Sequence, residues 1–236
     1  MLVLGIETST PQASVAIGSE EGVIASALAA WRPNYVEYLL PAIEFCLDGG
    51  GLAYNDLGGI AVSRGPGLLT GLRVGVATAK ALAQALSLPI VGMASLDLLA
   101  YELRYSPKTI CAMLDARRGE VYYALYRTSP GGIQRMGDYG LATPEQLALG
   151  IAARSDDMLM VGNGALVYRD VFSSADARVE IGTVSDAYPT AVALVELATA
   201  RMMRRDFDSL TGLNPMYLRR SARPIEWERM RGRRSA

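Results

Sequence analysis

The residues best placed to do chemistry run from Ser63 to Gly75: Ser63-Arg64-Gly65-Pro66-Gly67-Leu68-Leu69-Thr70-Gly71-Leu72-Arg73-Val74-Gly75. Gly65 and Gly67 permit backbone angles closed to other residues, and Pro66 fixes one of its own. The apolar run over 59–62 predicts a buried strand before them. The stretch 70–86, rich in Ala, Leu and Val with no proline, predicts a helix after them. Such a turn aims a helix N-terminus, with its free N–H groups, at whatever lies above the strand, and that end suits an anion. The standard phosphate patterns do not fit. A Walker A loop needs a lysine that is absent, and the sixth place of the dinucleotide fingerprint, counted from Gly65, is Thr70. The same turn serves equally as a tight strand-to-helix connection in an α/β sheet.

Three other turns carry polar groups or glycines at strand ends. A strand predicted over 2–6 ends in Glu7-Thr8-Ser9-Thr10-Pro11 and returns over 13–18, making a hydroxyl-rich hairpin turn. In actin-like ATPases such a turn faces a nucleotide phosphate; elsewhere it is an ordinary polar turn. A second hairpin is predicted from strands over 109–114 and 121–126, joined by Asp115-Ala116-Arg117-Arg118-Gly119-Glu120. Strand, terminal acid, polar turn and returning strand therefore occur twice, which is the layout of a two-lobed, internally duplicated fold. A strand over 158–161 enters Gly162-Asn163-Gly164-Ala165, where a backbone can approach a ligand closely.

The elements that must position these turns follow a regular order. A third strand is predicted over 22–29, then a helix over 33–47 with Val36, Leu39, Leu40, Ile43 and Leu47 as its core face. Tyr35, Tyr38, Ala42 and Phe45 fall on another side, which marks either a protein interface or a helix buried twice over. In the helix over 70–86, the small residues Gly71, Gly75, Ala79 and Ala83 recur every four positions. They admit a close backbone, from the chain's own sheet or from another subunit's helix. A strand over 89–93 leads to a short helix with Ser95 as its cap. The pattern restarts at Ser106-Pro107-Lys108, so the expected division is a first lobe over 1–105, a second over 106–212 and a closing segment over 213–236. Helices are predicted over 144–149 and 190–203, the latter capped by Thr190. The tail over 219–236 holds seven arginines against Glu226 and Glu228, suited to RNA phosphates or to a solvated end.

Composition excludes several function classes. The 236 residues, half hydrophobic and a fifth charged, fill one large domain or two small ones. A net charge of −1 argues neither for nor against nucleic acid. There is no histidine, which rules out a Ser-His-Asp triad, a Cys-His pair and histidine metal ligands. Cys46 and Cys111 lie in apolar surroundings, as reduced thiols of a cytosolic protein do. The apolar N-terminal run lacks the basic region of a signal peptide, and no run reaches membrane-spanning length. The expectation is a soluble, cytoplasmic protein.

Taken in order, these segments resemble the TsaB (YeaZ) family, bacterial partner proteins in forming the threonylcarbamoyl modification of tRNA adenosine. The resemblance rests on Leu4-Gly5-Ile6-Glu7-Thr8-Ser9, on Arg64-Gly65-Pro66-Gly67 with Thr70-Gly71-Leu72-Arg73-Val74-Gly75, on Leu114-Asp115-Ala116-Arg117 with Gly119-Glu120-Val121-Tyr122, and on Pro215-Met216-Tyr217-Leu218-Arg219. Many members have Asp where this chain has Glu7; both are carboxylates. The resemblance implies an actin/Hsp70/sugar-kinase-like (ASKHA) fold, two lobes each with a mixed sheet and flanking helices. It implies a non-catalytic subunit that scaffolds and activates the paralogue TsaD, with the small ATPase TsaE joining the assembly. TsaD holds a metal through two histidines on a helix; the matching helix here has Asn34 and Tyr38. The implied partner surface is Asn34, Tyr35, Tyr38, Leu39 and Ala42 with Leu72, Gly75, Val76 and Ala79, and the free protein pairs with itself through it. Glu7, Thr8, Ser9, Asp115, Gly162 and Gly164 then stand as relics of an ancestral ATP or ADP site, with no cofactor or metal required. The alternative is an independent ATPase or kinase of the same fold. Asp115 would then position water or magnesium, and Arg64 or Arg73 would offset phosphate charge. A zinc-dependent glycoprotease is ruled out with the histidines.

Overall fold

The structure, a computed structural model, describes residues 1–30 and 34–219. The first lobe contains β1 (Val3–Glu7), β2 (Ala13–Ser19), β3 (Gly22–Ala29), α1 (Tyr35–Gly50), β4 (Gly59–Ser63), α2 (Leu69–Leu86), β5 (Ile90–Met93) and α3 (Ser95–Glu102). Its sheet runs β3-β2-β1-β4-β5, with β1 antiparallel to β2 and parallel to β4. Every residue of β1 and β4 is buried, because helices cover both faces of these central parallel strands. Leu39, Ile43 and Leu47 of α1, with Val76, Ala79 and Ala83 of α2, pack on one face against Leu4, Ile6, Ile60 and Val62.

The second lobe repeats the plan. It contains β6 (Thr109–Arg117), β7 (Glu120–Ser129), β8 (Gly132–Arg135), β9 (Gly140–Ala142), α4 (Pro144–Ala152), β10 (Met158–Val161), α5 (Asn163–Val167), α6 (Arg169–Ala175) and β11 (Val179–Ile181). Its sheet runs β11-β10-β6-β7-β8, with β9 paired to β7. Read from the other edge and with β9 set aside, the order third-second-first-fourth-fifth and the strand directions match the first sheet. Glu7 ends β1, and Asp115 lies two residues before the end of the equivalent β6. The duplicated, two-lobed layout expected from the hairpins is the one found, and each lobe has the mixed sheet and flanking helices of the actin/Hsp70-like fold that the resemblance implies.

The last helix, α7 (Ala191–Met203), lies within the range expected for the second lobe, 106–212, yet it completes the first. Its Leu194, Val195, Ala198 and Met202 pack on Val3, Ala16, Ala61 and Val91, the face of the first sheet that α1 and α2 leave open. Thr190 caps it as expected, accepting from Ala193 N. The chain then runs back along the molecule. Asp208 N donates to Ile90 O, Met216 N to Arg64 O, and the Arg219 guanidinium reaches Arg117 O and the Glu120 carboxylate.

Several local expectations change. Val36 and Leu40, assigned to the core face of α1, are exposed at 68% and 51%, and the buried stripe is Leu39, Ala42, Ile43, Cys46 and Leu47. Apolar residues lie all round this helix, so periodicity alone could not choose the face; contact with the sheet does. The helix also outruns 47, ending where Gly51 turns left-handed (φ 64°) and Leu52 N donates to Leu47 O. Ser95 is not the cap of α3; it is the first helical residue, and its hydroxyl donates to Pro66 O. The strands β6 and β7 run further than expected, leaving Arg118-Gly119 as the turn. Pro33 and the tail beyond Arg219 lie outside the described residues.

Candidate functional site

The Gly-Pro-Gly turn does not open onto a ligand space; it seats on the β1–β2 turn of its own lobe. Leu68 N donates to Ser9 O at 2.7 Å, Thr8 Oγ1 to Gly71 O at 2.8 Å, and Ser95 Oγ to Pro66 O at 2.5 Å. A Cβ on Gly67 would collide with the Ser9 carbonyl, on Gly71 with the Thr8 carbonyl, and on Gly75 with the Thr8 hydroxyl. The start of the four-residue stripe is thereby explained: Gly71 and Gly75 admit the chain's own turn. Glu7, Thr8 and Ser9 end up fully buried. The arginines of the motif do not converge there. The Arg64 side chain lies against Gly92, and exposed Arg73 donates through Nε to the Tyr217 hydroxyl. Thr70 faces outward.

Beneath the turn lies a buried acid. Ser9 N donates to Glu7 Oε1 at 2.5 Å, while Glu7 Oε2, Ser9 Oγ and Ser63 Oγ are buried without a hydrogen-bond partner among the described residues. Burial pushes the Glu7 carboxyl up to about 7, against the opposing pull of Ser9 and Ser63. A protonated carboxyl has a hydrogen to share with such hydroxyls, whereas an ionised one would be a charge with no cation beside it among the described residues.

The second-lobe counterpart is also occupied by its own neighbours. Arg117 N donates to Asp115 Oδ1 at 2.8 Å, and the Arg117 guanidinium lies 3.2 Å from Oδ2. Asn163 Oδ1 accepts from Asp115 N. Gly162, at φ 97°, passes so close to the Met113 carbonyl that a side chain would collide with it. Gly164 packs against Met113, Leu114 and Asp115. These glycines bring β10 and α5 against β6. The site residues expected from the hairpins thus gather as one cluster in each lobe. Among the described residues no group of three or more Cys, Asp or Glu is placed to hold a metal.

The open surface is the outer side of α1 and α2. Of the residues expected there, Leu39, Ala42, Leu72, Gly75, Val76 and Ala79 are buried in their own lobe. Tyr35 and Tyr38 are half-buried: the Tyr35 hydroxyl donates to Thr10 O, and burial pushes Tyr38 up to about 12. Asn34 is exposed. The apolar groups that do face outward are Val36, Leu40 and Phe45 of α1 with Leu69 of α2. Glu37, Glu44 and Asp48 accompany them on α1, and Arg73, Ala77, Ala81 and Gln84 on α2. Between α2 and the C-terminal segment lies a cleft of about 450 Å³, lined by Arg73, Val76, Lys80, Leu213 and Tyr217 among others. No helix among the described residues is long and apolar enough to cross a membrane.

Comparison with known proteins fits this geometry. The model of the family described as TsaD: tRNA N6-adenosine threonylcarbamoyltransferase matches residues 24–227. The tRNA threonylcarbamoyladenosine biosynthesis protein TsaB of Bacillus subtilis is 29% identical over 229 residues, covering 96% of this chain and 98% of its own. The protein of the same name from Escherichia coli is 26% identical over 236 residues, covering 99% and 100%. The structure of YeaZ from Pseudomonas aeruginosa superposes with a TM-score of 0.79 at 27% identity, over 92% of this chain and 99% of that one. The chain belongs to the family that this model describes and, within it, to the TsaB (YeaZ) proteins.

Proposed function

We propose that this chain is a non-catalytic subunit in the formation of N6-threonylcarbamoyladenosine on tRNA. It holds a TsaD paralogue in its active shape while acyl transfer takes place on that partner. The reaction class is supported by the shared name of its relatives, tRNA threonylcarbamoyladenosine biosynthesis protein TsaB. The subunit role is carried by one observation: an apolar stripe on α1, with Leu69 beside it, faces outward while both hairpin turns are filled by the chain itself. Two such helices offer half of a four-helix bundle. Acidic groups on α1 and Arg73 with Lys80 on α2 favour a two-fold arrangement in which each acidic helix meets a basic one. The same face pairs two copies when the chain is alone and yields to the paralogue when it is present, with a TsaE-type ATPase joining later. On this reading the chain needs neither nucleotide nor metal of its own, which the burial of Glu7–Ser9 and the Asp115–Arg117 pair support.

Light scattering during size exclusion, with and without the paralogue, tests this together with a tRNA modification assay. The double variant L40D/F45D exchanges two exposed apolar groups for charges that a dry interface would leave unpaired. Expected is a monomer that neither self-pairs nor binds the paralogue and supports less than a tenth of the modification, with unchanged thermal stability. Normal association and modification by this variant would exclude the face. ATP turnover by the pure chain, lost on Asp115→Ala, would replace the subunit reading with the ATPase one.

A further inference from the structure

We propose that the β1–β2 turn is the common mount of the two helices that form the pairing face, and that the proton on Glu7 beneath it governs whether that face is presented. This regulation rests on the function proposed above. The turn is tied to both helices. On the α1 side the Tyr35 hydroxyl donates to Thr10 O at 2.7 Å; on the α2 side Leu68 N donates to Ser9 O at 2.7 Å and Thr8 Oγ1 to Gly71 O at 2.8 Å. The Tyr35 ring also lies against Gly71, 3.1 Å from where a Cβ would stand. Exposed Val36 follows Tyr35, and exposed Leu69 stands in sequence between Leu68 and Gly71. A displaced turn therefore carries with it the first turns of α1 and α2 and two apolar groups of the face.

The turn itself is held by Glu7. Ser9 N donates to Glu7 Oε1, and the hydroxyls of Ser9 and Ser63, from the turn and from β4, face the carboxyl. Glu7 Oε2 and both hydroxyls are buried with no hydrogen-bond partner among the described residues. Two further titratable groups bear on it, the Glu102 carboxyl of α3 and the Tyr35 phenol of α1, and neither supplies a positive charge. A protonated carboxyl sits in this cluster as one hydroxyl among three. An ionised one is a fully buried charge, and it is relieved when water enters or the carboxyl leaves its seat. Both routes move Ser9, whose N–H Glu7 holds and whose carbonyl holds the start of α2. Burial, with Glu102 adding to it, brings the Glu7 titration up to about 7 against the pull of Ser9 and Ser63, so the change falls in the neutral range. The chain has no histidine, the side chain that ordinarily titrates there, and the Met1 ammonium pairs with Glu20 at the opposite end of β1.

The test is sedimentation velocity of the full chain alone, over dilutions that span self-pairing, at steps from pH 6 to 8.5, for the natural chain and Glu7→Gln. Glutamine fills the same space and cannot ionise. Expected for the natural chain is a dissociation constant that rises with pH, by up to about tenfold per chain between pH 6 and 8, because only the protonated fraction pairs. Glu7→Gln should pair equally well throughout. In the natural chain the amide NMR signals of Ser9 and Leu68 should titrate together, with a midpoint near that of the dissociation, which decides the matter if the variant fails to fold. A dissociation constant flat with pH would overturn the proposal and leave the pairing face standing, as would a rise that Glu7→Gln shares or a titration that stops at Ser9. A chain that stays monomeric at every pH would overturn it together with the subunit function. Pairing that weakens with pH in a chain dispensable for tRNA modification would instead leave the proton link standing and remove that function.

Discussion

At the scale of single residues, Glu7 decides the most. Its folded carboxyl titrates near 7 against an ordinary 4.5, because burial disfavours the charge. Between those values the unfolded chain has released a proton that the folded chain still holds. Stability therefore falls as pH rises through this window and is level on either side of it. At about 1.4 kcal/mol per unit, the loss is on the order of 3 kcal/mol. Denaturant midpoints of the natural chain and Glu7→Gln between pH 4.5 and 8 check this. The variant should lack this part of the decline and be the more stable at pH 8; parallel curves would mean the carboxyl is not held protonated. Gly71 offers a test of opposite signs. If α2 faced water there, Gly71→Ala would add about 1 kcal/mol of helix stability. Because the new methyl would strike the Thr8 carbonyl, stability should fall instead, by roughly 1–3 kcal/mol of overpacking, and the melting temperature with it.

At the scale of elements, legibility depends on whether the deciding neighbour is near in sequence. β1, β4 and the two hairpins are readable because a central strand is apolar throughout and a hairpin turn is local. The small-residue stripe of α2 announces a close approach, but not what approaches: Thr8 lies 63 residues away from Gly71. Periodicity misassigns the face of α1 for a related reason. Val36 and Leu40 look like core beside Leu39 and Ile43, and only the position of the sheet separates them. Ser95 has the right residue type for a cap, yet Pro66, 29 residues upstream, takes its hydroxyl. The surplus of apolar residues on α1 is what makes it interpretable as an interface. Val76, expected on the surface, belongs to the core, so Val76→Asp should unfold the lobe while L40D/F45D leaves it folded; circular dichroism separates the two.

At the scale of the whole molecule, the duplication is visible in the repeated strand–acid–turn–strand pattern. The ownership of α7 is not, since its residues follow those of the second lobe without a break. Its contacts make a distinct prediction. Leu194 is fully buried against the first sheet, and Leu194→Ala should cost about 2–5 kcal/mol. Hydrogen exchange should show protection falling in β1 and β4, more than 130 residues upstream, while β10 and β11 keep theirs; the reverse pattern would place the helix with the wrong lobe.

The return of α7 also bears on how the molecule is made. A ribosome delivers β1, β4 and β5 early, but the helix that covers their second face emerges only after the second sheet has been synthesised. The first lobe cannot mature as it leaves the exit tunnel, in the N-terminal-first order usual for domains. Until residue 203 is free, Val3, Ala61 and Val91 present a greasy, unclosed sheet to the cell. A nascent chain stalled within the second lobe should therefore be a chaperone client, and release of the last helix should end that dependence.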